Sequence, residues 1–181
     1  PSQLQFARSK LKHVPKEQMK IAASFEIDDD QATELYPGLW IGSLKCANNS
    51  AFLNYHGITH ILTLCNETPT HNCGIQYTHI PFQDSEDVDL MNYLDDSLAA
   101  IDTVLKDNTH GTQPLQKRIL VHCLHGVSRS GSVCIAYIMH KKRQSFSSTW
   151  QQVKVLRSVI HPNEKFKAQL QELSERILAE A

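Results

Sequence analysis

One stretch of the sequence places a thiol and a guanidinium group at a fixed spacing. Cys123 follows the apolar run at residues 119–121, five residues intervene, and Arg129 stands where a helix is expected to begin. Consecutive backbone N–H groups of such a loop can turn inward around one centre, and a helix N-terminus adds unpaired donors and the positive end of its dipole. The segment therefore predicts a binding site for a tetrahedral dianion such as phosphate.

Three side chains of this segment have a predicted task in phosphoryl transfer. The field that binds a dianion also favours the thiolate of Cys123, which is the nucleophilic form of the group. Arg129 offers a planar fork to two phosphoryl oxygens, and the hydroxyl of Ser130 can hydrogen-bond the sulfur when it leaves. The intervening residues are predicted to bind phosphate through the backbone N–H groups of the loop: Leu124, His125, Gly126, Val127 and Ser128.

Cleavage of a phosphate ester also requires a proton for the departing oxygen, so an acid must face the loop from another segment. Residues 81–90 follow a predicted strand and contain four candidates: Asp84, Glu86, Asp87 and Asp89. Asp89 directly precedes the predicted helix at Leu90, and its expected role is to cap that helix.

The elements that must position these residues alternate between strands and helices. Strands are predicted at residues 39–41, 58–64, 75–82 and 118–122. Helices are predicted at residues 51–55, 90–105 and 130–140, followed by one that Ser147 or Ser148 caps and a last one that opens at Asn163. This order predicts a single α/β domain with a central mixed sheet of about four or five strands, helices on both faces, and the loop at the carboxyl edge of a central strand.

The first 33 residues differ in composition from the rest of the chain. Basic residues lie between Arg8 and Lys20, and acidic residues follow between Glu26 and Asp30. We therefore predict an N-terminal extension at residues 1–33, partly helical or mobile, and a catalytic domain at residues 34–181.

Composition excludes several other classes of function. The chain has 181 residues, 41% of them hydrophobic, and a formal net charge of −1, so no overall basic field attracts nucleic acid or an anionic membrane. Its apolar runs are too short to span a bilayer. Five cysteines without a Cys-x-x-Cys pair indicate a reducing compartment, the cytoplasm or the nucleus, and the oligomeric state is left open.

Residues 122–130, His-Cys-Leu-His-Gly-Val-Ser-Arg-Ser, resemble the signature of the protein tyrosine phosphatase superfamily. The flanking segments at residues 36–43, 57–62 and 163–170 resemble those of the dual-specificity phosphatases, so the resemblance covers roughly residues 34 to 175. It implies a phosphatase that acts through a phosphocysteine intermediate, without a metal or organic cofactor. The implied partner is a phosphorylated protein substrate, with a protein kinase as one candidate.

The resemblance also implies roles for individual residues. The family pattern Asp-x-x-x-x-Asp-Leu aligns Asp84 with the general acid and leaves Asp87 as the alternative. Asn163, in the Pro-Asn pair, is expected to brace the phosphate loop, and His122 to support the loop or the thiolate. Ser158 replaces the proline that usually follows the arginine at the position of Arg157.

The type of phosphate ester follows partly from what the loop lacks. Inositol lipid phosphatases of the superfamily tend to carry lysine in the loop, whereas Leu124, Val127 and Ser128 are uncharged. The short catalytic domain also leaves little room for the added loop that deepens the pocket of classical tyrosine-specific members. A shallow pocket is expected to admit phosphoserine and phosphothreonine as well as phosphotyrosine.

Three alternatives remain open at this point. His125 stands where dual-specificity enzymes usually carry alanine, and Cys-x-His-Gly resembles the RNA 5′-triphosphatases of the same superfamily. A phosphate-binding module without catalysis is less favoured, because nucleophile, arginine and acid are all present. A zinc site is also disfavoured, because the spacing of its candidate ligands fits no usual motif. Those ligands are Cys65, His71, Cys73 and His79.

Overall fold

The computed structural model describes residues 31–106 and 117–180 as an α/β domain. Its strands are β1 (Thr33–Tyr36), β2 (Leu39–Gly42), β3 (His60–Thr63), β4 (Gln76–His79) and β5 (Ile119–His122). The helices within these residues are α1 (Leu44–Asn48), α2 (Ser50–Tyr55), α3 (Met91–Lys106), α4 (Arg129–Lys142), α5 (Phe146–Leu156) and α6 (Glu164–Ala179).

The five strands form one mixed sheet in the order β1-β2-β5-β3-β4. Strand β1 pairs antiparallel with β2, and the other neighbouring strands pair in parallel. Because β5 occupies the centre, the segment that starts at Cys123 leaves the sheet at the carboxyl edge of its middle strand. The predicted mixed sheet, and the place of the loop on it, are confirmed.

Helices cover both faces of this sheet, as predicted. Leu39 and Ile41 of β2 belong to the larger buried cluster, together with apolar residues of α3, α4, α5 and α6. Trp40 belongs to a second cluster, with Cys46 and Ala47 of α1 and apolar side chains of α2. Successive side chains of a strand point to opposite faces, so one short strand serves both cores.

Several element boundaries differ from the prediction. Strand β1 was not predicted, since Leu35 is its one buried residue and no alternation is visible over four positions. It joins β2 through Pro37 and Gly38, and Gly38 has a φ of 81°, which suits the third position of a type II turn. The predicted strands around β3 and β4 were too long, because strand-like residues continue beyond the paired positions.

Side-chain caps mark the starts of several helices. Asn49 caps α2, and Asn163 caps α6, the helix that was predicted to open at this residue. The predicted cap of α5 was wrong: Ser145, with an extended backbone, accepts a hydrogen bond from the Ser148 N–H over 3.2 Å. The helix therefore begins at Phe146, ahead of both predicted caps.

Helix α1, which directly follows Ser43, was not predicted from the sequence. Residues 1–30 of the predicted N-terminal extension lie outside the described residues. None of the helices in the described ranges is long and apolar enough to cross a membrane.

Candidate active site

The loop between β5 and α4, residues 123–128, is seated directly on the end of β2. A β-carbon added to Gly126 would lie 2.5 Å from the carbonyl oxygen of Gly42 and 2.9 Å from the Ser43 nitrogen. Gly126 also has a φ of 68°, in the left-handed region that side chains disfavour. Leu44 N–H donates to Leu124 O over 3.2 Å, which ties the loop to α1. The loop can therefore adopt this conformation only with glycine at position 126.

The thiol of Cys123 lies at the base of this loop and is 2% exposed. Its Sγ atom is 3.3 Å from the hydroxyl oxygen of Ser130, which is buried in the first turn of α4. This distance lets the hydroxyl donate to a sulfur anion, the contact on which the predicted role of Ser130 depends.

His122, the last residue of β5, supports the loop from below. Its Nδ1 is 3.2 Å from the Cys123 carbonyl oxygen, and its Nε2 is 2.8 Å from the Thr63 hydroxyl oxygen. A carbonyl can only accept, so Nδ1 carries the hydrogen and Nε2 accepts from Thr63. Burial lowers the pKa of His122 to about 4, and the ring is therefore neutral near pH 7.

Arg129 begins α4 and turns its guanidinium toward the acid segment. Its Nη1 donates to the Phe82 carbonyl oxygen over 3.1 Å, and its Nε lies 4.0 Å from Asp84 Oδ2. Nε is buried and hydrogen-bonds to no atom of the described residues. A buried guanidinium N–H is costly to leave without an acceptor, so this donor is suited to an anion on the loop.

Of the four candidate acids, Asp84 is the one in contact with the phosphate loop. Its Oδ1 accepts hydrogen bonds from Ser128 Oγ over 2.6 Å and from Asn163 Nδ2 over 3.0 Å. The segment that carries Asp84 thus lies against both the loop and the start of α6.

The other acidic residues of this segment make different contacts. Asp87 is exposed, and its backbone N–H donates to the Ser85 hydroxyl over 3.2 Å. Asp89 Oδ1 accepts from the Met91 N–H over 3.0 Å and from Gln169 Nε2 over 2.6 Å. Asp89 therefore makes the capping contact at the start of α3 that its position predicts.

The turn before α6 lies against the far side of the phosphate loop. His161 N–H donates to the Val127 carbonyl over 3.1 Å, and Asn163 N–H donates to Ser128 Oγ over 3.2 Å. The side-chain oxygen of Asn163 accepts from Phe166 N–H over 2.9 Å, which caps the helix. Asn163 thus contacts the loop and the acid at once. The first of these contacts is the one that the family resemblance implied.

Sequence reasoning gave no role to Arg157, a fully buried residue that also holds the loop. Its Nε donates to the Gly126 carbonyl oxygen over 3.4 Å, and its Nη1 donates to Gln31 O and Thr33 Oγ1 over 2.9 and 3.4 Å. The arginine therefore joins the phosphate loop to the start of β1. The signal that could have found it is its place six residues before Asn163 in the family-like segment.

The remaining loop residues differ in exposure. His125 is exposed, whereas Leu124 and Val127 are half-buried. The side chain of His125 therefore lies at the surface of the loop and not beneath it.

The four candidate zinc ligands make unrelated contacts. His79 Nε2 lies 2.8 Å from the Cys65 carbonyl oxygen, His71 stacks on Tyr77 with ring centres 4.2 Å apart, and Cys73 is exposed. Across residues 31–106 and 117–180, no group of three His, Cys, Asp or Glu side chains is arranged to hold a metal ion.

Comparison with protein families gives a match over the whole site. The family model described as "Dual specificity phosphatase, catalytic domain" matches residues 39–176, which include the acid segment, the phosphate loop and α6 up to Arg176. A human structure, that of DUSP28, superposes with a TM-score of 0.71 at 28% identity and covers 81% of this chain and 94% of that one.

The curated relatives are also described as dual specificity phosphatases. Human dual specificity protein phosphatase 4 is 35% identical over 153 residues, which are 84% of this chain and 37% of the relative. Dual specificity protein phosphatase 1-A of Xenopus laevis is 33% identical over 153 residues, 84% of this chain and 39% of the relative. The chain therefore spans about two fifths of the length of these two relatives.

Proposed function

The chain belongs to the dual specificity phosphatase family, and from this premise we propose that it hydrolyses phosphotyrosine, phosphoserine and phosphothreonine in proteins through a phosphocysteine intermediate. The observation that carries the proposal is the convergence of three groups from two distant segments. Cys123 and Arg129 stand at the two ends of the phosphate loop, and Asp84 contacts Ser128 of the same loop and lies 4.0 Å from Arg129 Nε, although Asp84 precedes Cys123 by 39 residues. The proposed site residues are those predicted from the sequence.

In the first step the Cys123 thiolate attacks phosphorus in line with the departing oxygen. An S–P bond forms while the P–O bond to the substrate breaks, and Asp84 gives its proton to the leaving oxygen. The loop amides and the guanidinium of Arg129 bind the three equatorial oxygens, where negative charge gathers in the transition state. The buried Nε of Arg129 supports this assignment, because it has no acceptor among the described residues.

In the second step water hydrolyses the phosphocysteine. Asp84, now a carboxylate, takes a proton from the water whose oxygen attacks phosphorus, and the S–P bond breaks. The Ser130 hydroxyl, 3.3 Å from the sulfur, donates to the thiolate as it leaves. His122 remains neutral and keeps the Cys123 carbonyl in place, so it has no part in proton transfer. The residues of the chain supply every group that these steps require.

The substrate class rests on the family. Curated relatives are described as protein phosphatases, which supports a phosphorylated protein as partner, with a protein kinase as one candidate. An RNA 5′-triphosphatase and a phosphate-binding pseudophosphatase are not favoured by the family match. We further propose a reducing compartment, the cytoplasm or nucleus, because the five cysteines of the sequence include no Cys-x-x-Cys pair.

The test compares Cys123→Ser with the wild-type chain on phosphotyrosine and phosphothreonine peptides and on 5′-triphosphate RNA. The variant is expected to lose turnover and still bind phosphopeptide, because a hydroxyl is a far weaker nucleophile at neutral pH. Cys73→Ser, which changes an exposed thiol, is the matched control. Appreciable hydrolysis by Cys123→Ser, or a wild-type preference for the RNA, would contradict the proposal.

A further inference from the structure

We propose that Ser128 and Asn163 are positioning residues for the general acid: together they hold Oδ1 of Asp84 and leave Oδ2 as the oxygen that carries the catalytic proton. The inference rests on the function proposed above and concerns the side chains of these residues, beyond their contribution to the loop. It is carried by two hydrogen bonds to a single carboxylate oxygen, of 2.6 and 3.0 Å.

The hydroxyl of Ser128 has its direction set from the other side. Asn163 N–H donates to Ser128 Oγ over 3.2 Å, and a backbone N–H can only donate. The oxygen of Ser128 is therefore the acceptor in that contact, and its own hydrogen is free to point at Asp84. The short O···O distance of 2.6 Å is typical of a hydroxyl that donates to a carboxylate.

The amide of Asn163 is oriented in the same way. Its Oδ1 accepts from Phe166 N–H over 2.9 Å at the start of α6, and a flipped amide would place two donors against each other there. The nitrogen must therefore lie on the opposite side, where it donates to Asp84 Oδ1 over 3.0 Å. Helix capping and acid positioning thus use the two ends of one side chain.

These contacts make the two oxygens of the acid unequal. Oδ1 accepts from both donors, and a proton placed on it would compete with them for the same lone pairs. Oδ2 lies on the side of the arginine that binds phosphate, 4.0 Å from Arg129 Nε. In the acid form of Asp84 the proton therefore resides on Oδ2, next to the site where the leaving oxygen must be.

The second tie between the acid segment and the loop is the Arg129 Nη1 contact with the Phe82 carbonyl. That contact uses a guanidinium which also binds the phosphoryl group during the reaction. Within residues 31–106 and 117–180, the hydroxyl of Ser128 hydrogen-bonds to Asp84 and the Asn163 N–H, and the side-chain amide of Asn163 hydrogen-bonds to Asp84 and the Phe166 N–H of α6. The hydrogen bonds from Ser128 and Asn163 do not use a group that binds the phosphoryl oxygens through its side chain. They therefore hold Asp84 in place throughout the reaction.

The test measures kcat/KM for two aryl phosphates whose leaving groups need the acid to different extents. Phenyl phosphate releases a basic phenoxide and depends on Asp84, whereas 4-nitrophenyl phosphate depends on it less. Ser128→Ala removes one of the two hydrogen bonds that hold Oδ1 and is expected to cost about tenfold more on phenyl phosphate than on 4-nitrophenyl phosphate. Ser128→Thr keeps the hydroxyl and should recover most of that difference. Ser85→Ala, which removes a hydroxyl from the acid segment without touching Asp84, should show no such difference.

A double variant separates positioning from a general effect on the loop. If Ser128 acts through Asp84, Ser128→Ala combined with Asp84→Asn loses clearly less activity on phenyl phosphate than the product of the two single losses. Losses that multiply, or equal losses on both substrates, overturn the inference. Failure of the wild-type chain to hydrolyse any ester would instead overturn the proposed function, so the two failures are distinguishable.

Discussion

Gly126 packs against Gly42 so closely that a β-carbon at residue 126 would lie 2.5 Å from the Gly42 carbonyl oxygen. The contact joins the phosphate loop to the end of β2, which lies on one side of β5. Strand β4, which leads to the acid segment, lies on the other side of β5. A side chain at residue 126 would therefore force the loop away from β2. The exchange of one hydrogen for a methyl group tests how much of the anion site depends on this contact.

Gly126→Ala is therefore expected to damage both the fold and the site. The left-handed backbone alone costs an alanine about 1 to 2 kcal/mol, and the clash with Gly42 forces the loop to move in addition. Urea unfolding measures the first effect, and calorimetric titration with inorganic phosphate measures the second.

Gly57→Ala is the matched control for this change. Gly57 has a φ of 62°, and a β-carbon there would meet nothing within 4 Å, so the variant experiences only the backbone penalty. Equal stability losses in the two variants, together with unchanged phosphate binding by Gly126→Ala, would show that the contact with Gly42 does not shape the loop.

Stability should depend on pH through His122. Burial lowers its pKa from 6.5 to about 4, so the unfolded chain takes up a proton at a higher pH than the folded one does. The contribution is complete above pH 6.5 and is lost as pH falls toward 4, by about 3 kcal/mol over that range. His122→Asn should flatten the fall in unfolding free energy measured in urea between pH 7 and 4.5. An unchanged slope would mean that the imidazole is not buried in its neutral form.

The exposed side chain of His125 bears on the substrate class. His125→Ala keeps the backbone amides of the loop, so kcat/KM on phosphotyrosine and phosphothreonine peptides is expected to stay within about tenfold, or 1.4 kcal/mol. Triphosphate RNA should be a poor substrate for wild type and variant alike. A wild-type preference for the RNA that falls steeply with added salt and is lost in His125→Ala would contradict this expectation.

The local sequence was sufficient to predict the central residues of the site. The thiol, the arginine and Ser130 lie within eight consecutive residues after an apolar strand, so one strand, loop and helix start bring them together. The alternation of strand and helix patterns likewise predicted the mixed sheet with helices on both faces. Strand β1 was not predicted because an edge strand of four residues with one buried side chain shows almost no periodic hydrophobic pattern.

Contacts between distant segments could not be predicted in this way. The hydrogen bonds from Ser128 and Asn163 to Asp84 span 44 and 79 residues, and no spacing in the sequence relates these side chains. They depend on the relative positions of three separate segments: the one between β4 and α3, the phosphate loop, and the turn before α6. Arg157 is similar, because its contacts with Gln31 and Gly126 follow from burial that a polar residue type does not suggest.

The most direct test of the mechanism is to trap the phosphorylated enzyme. Asp84→Asn should slow hydrolysis of the intermediate, so the variant is mixed with 4-nitrophenyl phosphate, quenched in denaturant within the first turnover, digested and analysed by mass spectrometry. We expect phosphate on the peptide that contains Cys123, close to one per enzyme molecule, and none there when Cys123→Ser is combined with the same change. Nitrophenol release without phosphate on Cys123, or phosphate on another side chain such as Ser130 or His122, would contradict it.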